Sequence, residues 1–141
     1  MLFDPKSESG AHIAIRLQEE DVVWLVTLRA DLTPQPSPVW FFWDGDTFLI
    51  YSQPDTPKLR NIRLNPVVSL HFDSDGSGGD ILIFTGEARI DPDTPPGNQV
   101  EGYLQKYRDS IADLGYPPEE FGESFSVPIR VRPTNLRAWG F

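Results

Sequence analysis

The chain contains no cysteine. That excludes disulfides, thiolate metal sites and a cysteine nucleophile, and leaves the redox compartment open. Histidine is nearly as scarce. His12 and His71 lie far apart, and neither stands in a serine–histidine–acid spacing or a metal cluster. A reaction would then have to be carried by a cofactor, with the protein supplying position and electrostatics. Positive charge is also short: 12 lysines and arginines face 21 acids, for a net charge of −9. Broad nucleic-acid binding needs a basic face that displaces counterions, so none is expected. No apolar run reaches membrane-spanning length, so no membrane is expected either. The N-terminal MLFDPKSESG lacks the basic and apolar regions of a secretion signal, and a cytoplasmic protein is expected.

What is present suits an ordinary globular fold. The 141 residues are 39% hydrophobic and 23% charged, enough for one domain, 1–141, with a core that needs no staples. The 14 prolines mostly punctuate short segments. No repeat, linker or low-complexity tract is visible.

The spacing predicts a short helix over about Ala11–Glu20, capped by Ser7 or Ser9, with Ile13 and Leu17 on one face. DVVWLVTLRA reads as a buried strand, and PVWFFWDGDTFLIYS as strand, hairpin, strand. Asp44-Gly45 is the signal of a type I′ turn. TPKLRNIRLN reads as a helix capped by Thr56, with Pro57 at its first position and Leu59 and Ile62 facing inward. PVVSLHF and ILIFTGEARI read as strands, the second long enough to pair on both sides. The clearest helix follows, with Val100, Tyr103, Leu104, Tyr107, Ile111 and Leu114 at helical spacing. GYPPEEF is read as its stop. Phe125, Val127, Ile129 and Val131 then alternate with polar residues in a half-buried strand. A doubly wound sheet would need a helix between most strands. The expected fold is mainly β: a six-stranded antiparallel barrel with peripheral helices.

Two local oddities bear on function. In SQPDTPKLRNIRLNP, Lys58, Arg60 and Arg63 face one acid, Asp55. A helix N-terminus offers free N–H groups and partial positive charge, which suits phosphate. Lys58 sits in the first turn, where a cation opposes the helix dipole unless an anion joins it. Ser52 and Thr56 add hydroxyl donors. A solvated basic helix face gives the same pattern. The second oddity is TPQPSPVWF, where Pro34, Pro36 and Pro38 alternate. Such a strand cannot be central. It leaves Gln35, Ser37 and backbone carbonyls free to meet a flat polar ring, or simply blunts a sheet edge. Trp40, Phe41, Phe42 and Trp43 must point to both faces of a strand. One face is core, and the other needs a partner chain, a ligand or the helices. DSDGSGGD matches the first half of a calcium loop, but Phe84 stands where the bidentate glutamate belongs.

Taken together, LRADLTPQPSPVWFFWDGDTFLIYSQPDTPKLRNIRLNPVVSLHF, then GEARI and the terminal VRPTNLRAW, resemble the pyridoxamine 5′-phosphate oxidase-like FMN-binding split barrels. Within them the chain is most similar to the small deazaflavin (coenzyme F-420)-dependent reductases. The resemblance implies a split barrel that forms a homodimer, with cofactor grooves between subunits. It implies that Lys58, Ser52 and Thr56 hold the cofactor phosphate, supported by Arg60 and Asn61. Gln35, Ser37, Pro38, Val39 and Trp40 would line the ring, and Arg137 and Trp139 would approach from the second subunit. Arg60 and Arg63 could accommodate the acidic tail of F-420. The implied activity is hydride transfer between bound F-420 or FMN and a small unsaturated substrate, with no catalytic side chain identified. A non-catalytic FMN-binding or carrier module is the alternative. The chain is short and lacks the C-terminal arginine and histidine substrate motif of true pyridoxamine phosphate oxidases, so that specific activity is not expected.

Overall fold

A computed structural model describes Leu2–Phe141. Its elements run α1 (Glu8–Glu19), β1 (Val22–Leu28), β2 (Pro34–Trp40), β3 (Phe42–Trp43), β4 (Phe48–Ser52), α2 (Pro57–Leu64), β5 (Val67–His71) and β6 (Ile81–Ile90). A short 3-10 turn (Gly97–Gln99), α3 (Glu101–Asp113), α4 (Pro118–Ser124) and β7 (Val127–Trp139) complete the chain. The strands form one antiparallel sheet in the order β2-β1-β5-β6-β7-β4-β3. This is the expected barrel-like sheet with peripheral helices. It has seven strands rather than six, because Phe42–Trp43 forms a two-residue rung on β4.

Alternation sets the inside. Val23, Leu25 and Thr27 of β1 are buried, whereas Val22 and Trp24 are 43% and 42% exposed. The strand read as buried therefore has one wet face. β2 lies at the sheet edge as its prolines require, with Pro34, Pro36 and Pro38 opposite Leu28, Val26 and Trp24. The barrel core is aliphatic and phenyl, including Leu25, Phe41, Phe48, Leu70, Phe84 and Val131. Leu59 and Ile62 plug it from α2, and Ile13 and Leu17 from α1.

The run of aromatics after β2 is divided between barrel and helices. Phe41 is fully buried in the barrel and meets Phe72 edge-on. Trp40 instead stacks on Tyr107 of α3, and Phe42 packs under Gly102 so closely that a Cβ there would lie 2.4 Å from its ring. The helices are thus the cover that the second aromatic face needs.

Three local readings are corrected. In the β3–β4 hairpin, only Gly45 takes a positive φ, +101°. Asp44 stands outside the bend and clamps it, accepting from the Asp46 and Thr47 N–H groups, so the turn is not type I′. GYPPEEF does not simply stop α3; Pro118 occupies the first turn of a further helix, α4. The last strand continues to Trp139, because a bulge opposite Thr85/Gly86 absorbs one residue, Thr134. The bulge shifts the inward set from Ile129 and Val131 to Leu136 and Ala138. A Cβ on Gly86 would stand 2.5 Å from the Arg132 carbonyl oxygen, which explains glycine at that site.

Candidate functional site

Beside β2, two clefts of about 370 and 170 Å³ meet at one side chain, Lys58. The chain reaches this point through a tight reversal. β4 ends at Ser52, Asp55 takes a left-handed φ of +62°, and Pro57 opens α2. Lys58 is thereby held in the first turn of α2, which carries no acid.

Lys58 is half-buried. Burial pushes its amine below the ordinary lysine value, and no carboxylate acts to restore it. Among the described residues it is the only charged one lining either cleft. Two hydroxyls adjoin it. Ser52 Oγ donates to the Gln53 carbonyl at 2.7 Å and lies 2.8 Å from Thr56 Oγ1. Thr56 is the N-cap residue as expected, but its side chain makes no capping bond, since its hydroxyl is paired with Ser52. Both protons sit on rotors that can turn to an incoming anion.

The edge strand supplies the flat wall. Gln35 and Ser37 line the smaller cleft, and Pro38, Val39 and Trp40 line the larger. Trp40 is fixed by near-parallel stacking on Tyr107, with ring centres 4.7 Å apart and planes 3° apart. Asn61 lies behind this wall. Its Nδ2 donates to Thr27 Oγ1 at 2.9 Å and to Gln35 Oε1 at 2.8 Å, tying α2 to β1 and β2. It therefore holds Gln35 in place and does not line a cleft.

Four further expected residues stand outside the clefts. Arg60 turns back to donate to the Asp55 carbonyl at 2.7 Å, because that acceptor lies one turn behind it. Arg137 and Trp139 lie on the outer sheet face, the guanidinium 5.1 Å from the indole. Arg63 is exposed in the last turn of α2, where a cation suits the helix dipole.

The opposite wall was missed by sequence reasoning. Tyr103 and Leu114, with Phe121 and Phe125 from α4 and its C-cap, close the larger cleft. Phe121 and Phe125 stack with centres 4.8 Å apart. Their spacing of four residues behind Pro118 was the available signal. Among the described residues, no carboxylate or imidazole lines either cleft.

A long groove with a flat apolar wall, hydroxyl donors and one uncompensated amine suits a planar ring carrying a phosphate. Among the described residues no cluster of three metal-ligating side chains occurs, and no helix is long and apolar enough to cross a membrane.

Residues 10–140 match the family model for pyridoxamine 5′-phosphate oxidase. No curated protein matches the sequence. Among solved structures, a Listeria innocua protein provisionally named pyridoxamine 5′-phosphate oxidase is 24% identical, with TM-score 0.70, covering 95% of this chain and 100% of its own. An F-420 reductase is 28% identical, with TM-score 0.63, covering 86% of this chain and 93% of its own. The haem storage protein HutZ of Vibrio cholerae is 18% identical, with TM-score 0.66, covering 93% and 94%. The Listeria and Vibrio likenesses are of fold.

Proposed function

Given that this chain belongs to the pyridoxamine 5′-phosphate oxidase family, we propose that its groove binds a phosphate-bearing flavin-type cofactor, FMN or the deazaflavin coenzyme F-420. The protein then acts as an oxidoreductase on a small unsaturated substrate. The observation that carries this reading is Lys58: a half-buried amine without a counter-ion, alone in its groove, in a chain of net charge −9. The likeness to an F-420 reductase supports the deazaflavin, and the Arg60–Arg63 side of α2 offers its acidic tail a positive surface.

When bound, such a ring supplies hydride donation and acceptance. The chain's own residues do the rest. Lys58 and the hydroxyls of Ser52 and Thr56 hold the phosphate, with charge-assisted hydrogen bonds replacing the amine's lost hydration. Gln35, Ser37, Pro38, Val39 and Trp40 flank the ring, and Asn61 locks the Gln35 amide. The aromatic wall of α3 and α4 limits water at the reacting face.

A second copy of the chain is part of this proposal. The outer face of the sheet exposes Val22, Trp24, Val67 and Trp139 at 42–47%. The strand register places Trp24 beside His71, His71 beside Ile83 and Ile83 beside Arg137. This face is continuous with β2 and hence with the groove. A second copy seated there would bring its own Arg137 and Trp139 to the cofactor. Sedimentation at micromolar concentration should give about twice the 15.9 kDa chain mass, and Trp24→Glu should reduce it to one chain. A single-chain mass for the unmodified protein would contradict the dimer.

The cofactor test is a parallel fluorescence titration of the apo-protein with FMN and F-420. Saturable binding of at least one, followed by reduction of an unsaturated substrate, supports the oxidoreductase. Tight binding without turnover across a broad panel would make it a carrier. Binding of neither would refute the reading.

A further inference from the structure

Between β2 and β3 the sheet is interrupted at Phe41, which belongs to neither strand, and α3 serves its backbone. The Phe41 N–H donates to the Tyr107 hydroxyl oxygen at 2.8 Å. Tyr107 has one proton for two carbonyls, Phe41 at 2.7 Å and Asp21 at 2.8 Å. The Lys106 amine supplies a further donor, reaching the Phe41 carbonyl at 2.9 Å. It also lies over the Phe41 ring, 3.8 Å from its centre.

Lys106 lines a cavity of about 610 Å³ between α1, β3 and α3. Leu17, Phe42 and Trp43 give the cavity apolar walls, and Gln18 and Gln105 add two carboxamides. Among the described residues, no other charged side chain lines it, and none lines both this cavity and the groove beside β2.

Burial, the largest cause, pulls the Lys106 amine down to about 8, although the Asp21 and Glu20 carboxylates act to raise it. Glu20 is itself paired with Arg16. Near pH 8 much of this amine is therefore unprotonated, and a desolvated neutral lysine is an activated nucleophile. A neutral amine keeps two N–H donors and gains a lone pair, so the bond to Phe41 survives loss of the proton. The hydride chemistry proposed for the groove makes no use of this group.

We propose that the Lys106 cavity is a covalent site for small, uncharged aldehydes, which condense with the amine to an imine. The nitrogen lone pair forms the C–N bond as the carbonyl π pair moves to oxygen. The nitrogen releases its two protons to solvent in turn, and the oxygen takes up two and leaves as water. Nothing is oxidised or reduced, and no co-reactant is needed. The Asp21 and Glu20 carboxylates disfavour an anionic reagent, and the Leu17, Phe42 and Trp43 walls favour an apolar one. The site does not depend on what the groove binds.

The test traps imines on the full chain with benzaldehyde and cyanoborohydride at neutral pH, and locates them by peptide mapping. Lys6, Lys58 and Lys106 are the only lysines, so each site is read separately. Lys106 should label about tenfold faster than exposed Lys6, and its rate should saturate with benzaldehyde because a cavity fills. The para-carboxylate analogue of benzaldehyde should lose that advantage. Lys106→Arg keeps a donor for the Phe41 carbonyl and should lack the fast phase of incorporation. If that variant does not fold, mapping of the unmodified chain still decides. Equal labelling at Lys6 and Lys106 would overturn the proposal, as would a Lys106 rate that stays linear in benzaldehyde. So would an undiminished advantage with the carboxylate analogue. A fast phase that survives in folded Lys106→Arg would also overturn it, placing the reactive amine elsewhere.

Discussion

Inside the barrel, Leu25, Phe41, Phe48 and Phe84 bury carbon alone. Under α3, the second cluster mixes Leu49, Ile111 and Phe121 with Tyr51, Tyr103 and Tyr107. The first cluster holds the sheet closed and leaves no polar group to satisfy. The second borders a cleft, and the Tyr51 and Tyr107 hydroxyls brace the backbone while Tyr103 makes no such bond among the described residues. A protein that needed only stability would gain little from Tyr103 over phenylalanine. The difference separates packing that only closes the barrel from packing that borders an open cleft.

Substitutions can sharpen that contrast. The largest effect belongs to the barrel: Phe84→Ala should cost about 3–5 kcal/mol of stability, read from denaturant unfolding. A loss much smaller than that would mean the barrel core is not the main support. Tyr107→Phe comes next, at about 1–3 kcal/mol, because the Phe41 N–H would lose its buried acceptor. Its neighbour Tyr103→Phe should stay within about 0.5 kcal/mol of the unmodified protein. Equal losses at the two positions would erase the distinction between a phenol that braces the backbone and one that does not.

The smallest effect is a pH dependence. Lys58 in the apo-protein loses its proton below the ordinary lysine range. FMN affinity, measured above pH 7 where the phosphate is a dianion, should therefore fall as pH rises toward that range. Lys58's share of apo-protein stability should move the other way. Between its folded and unfolded pKa values the unfolded chain binds more protons, so stability rises with pH there. An affinity profile that stays flat through the ordinary lysine range would argue against a charged Lys58 at the phosphate.

Much of this architecture was legible in the chain. Alternate prolines can only lie at an edge, and β2 does. Proline followed by Lys58 read as a helix start, and it is one. What escaped was decided by long-range contact. The Asp44-Gly45 turn follows from where Asp44 finds N–H groups to accept, which local preference does not dictate. α4 was hidden because Pro118 reads equally as a stop and a start. The terminal strand runs on because one bulged residue, Thr134, restores the inward pattern after Val131. In the groove, Lys58, Ser52, Thr56 and the β2 residues were named from sequence and come together. Arg60 was named too, but its guanidinium finds the nearer carbonyl of Asp55. Tyr103 was read only as part of a helix face and Phe121 as part of a stop signal, since helical spacing records burial and not which buried face meets a cavity; Phe125, read as the start of the terminal strand, instead caps the end of α4.

The central claim is that Lys58 seats a phosphate, and its most direct test is a comparison of FMN with riboflavin, which lacks that group. Affinities of both are measured for the unmodified protein and for Lys58→Ala. The account predicts that Lys58→Ala weakens FMN by about 1.5–3 kcal/mol, the worth of a charged hydrogen bond, or roughly 10- to 150-fold, while riboflavin binding is unchanged. Equal losses for both ligands, or no loss for FMN, would contradict it.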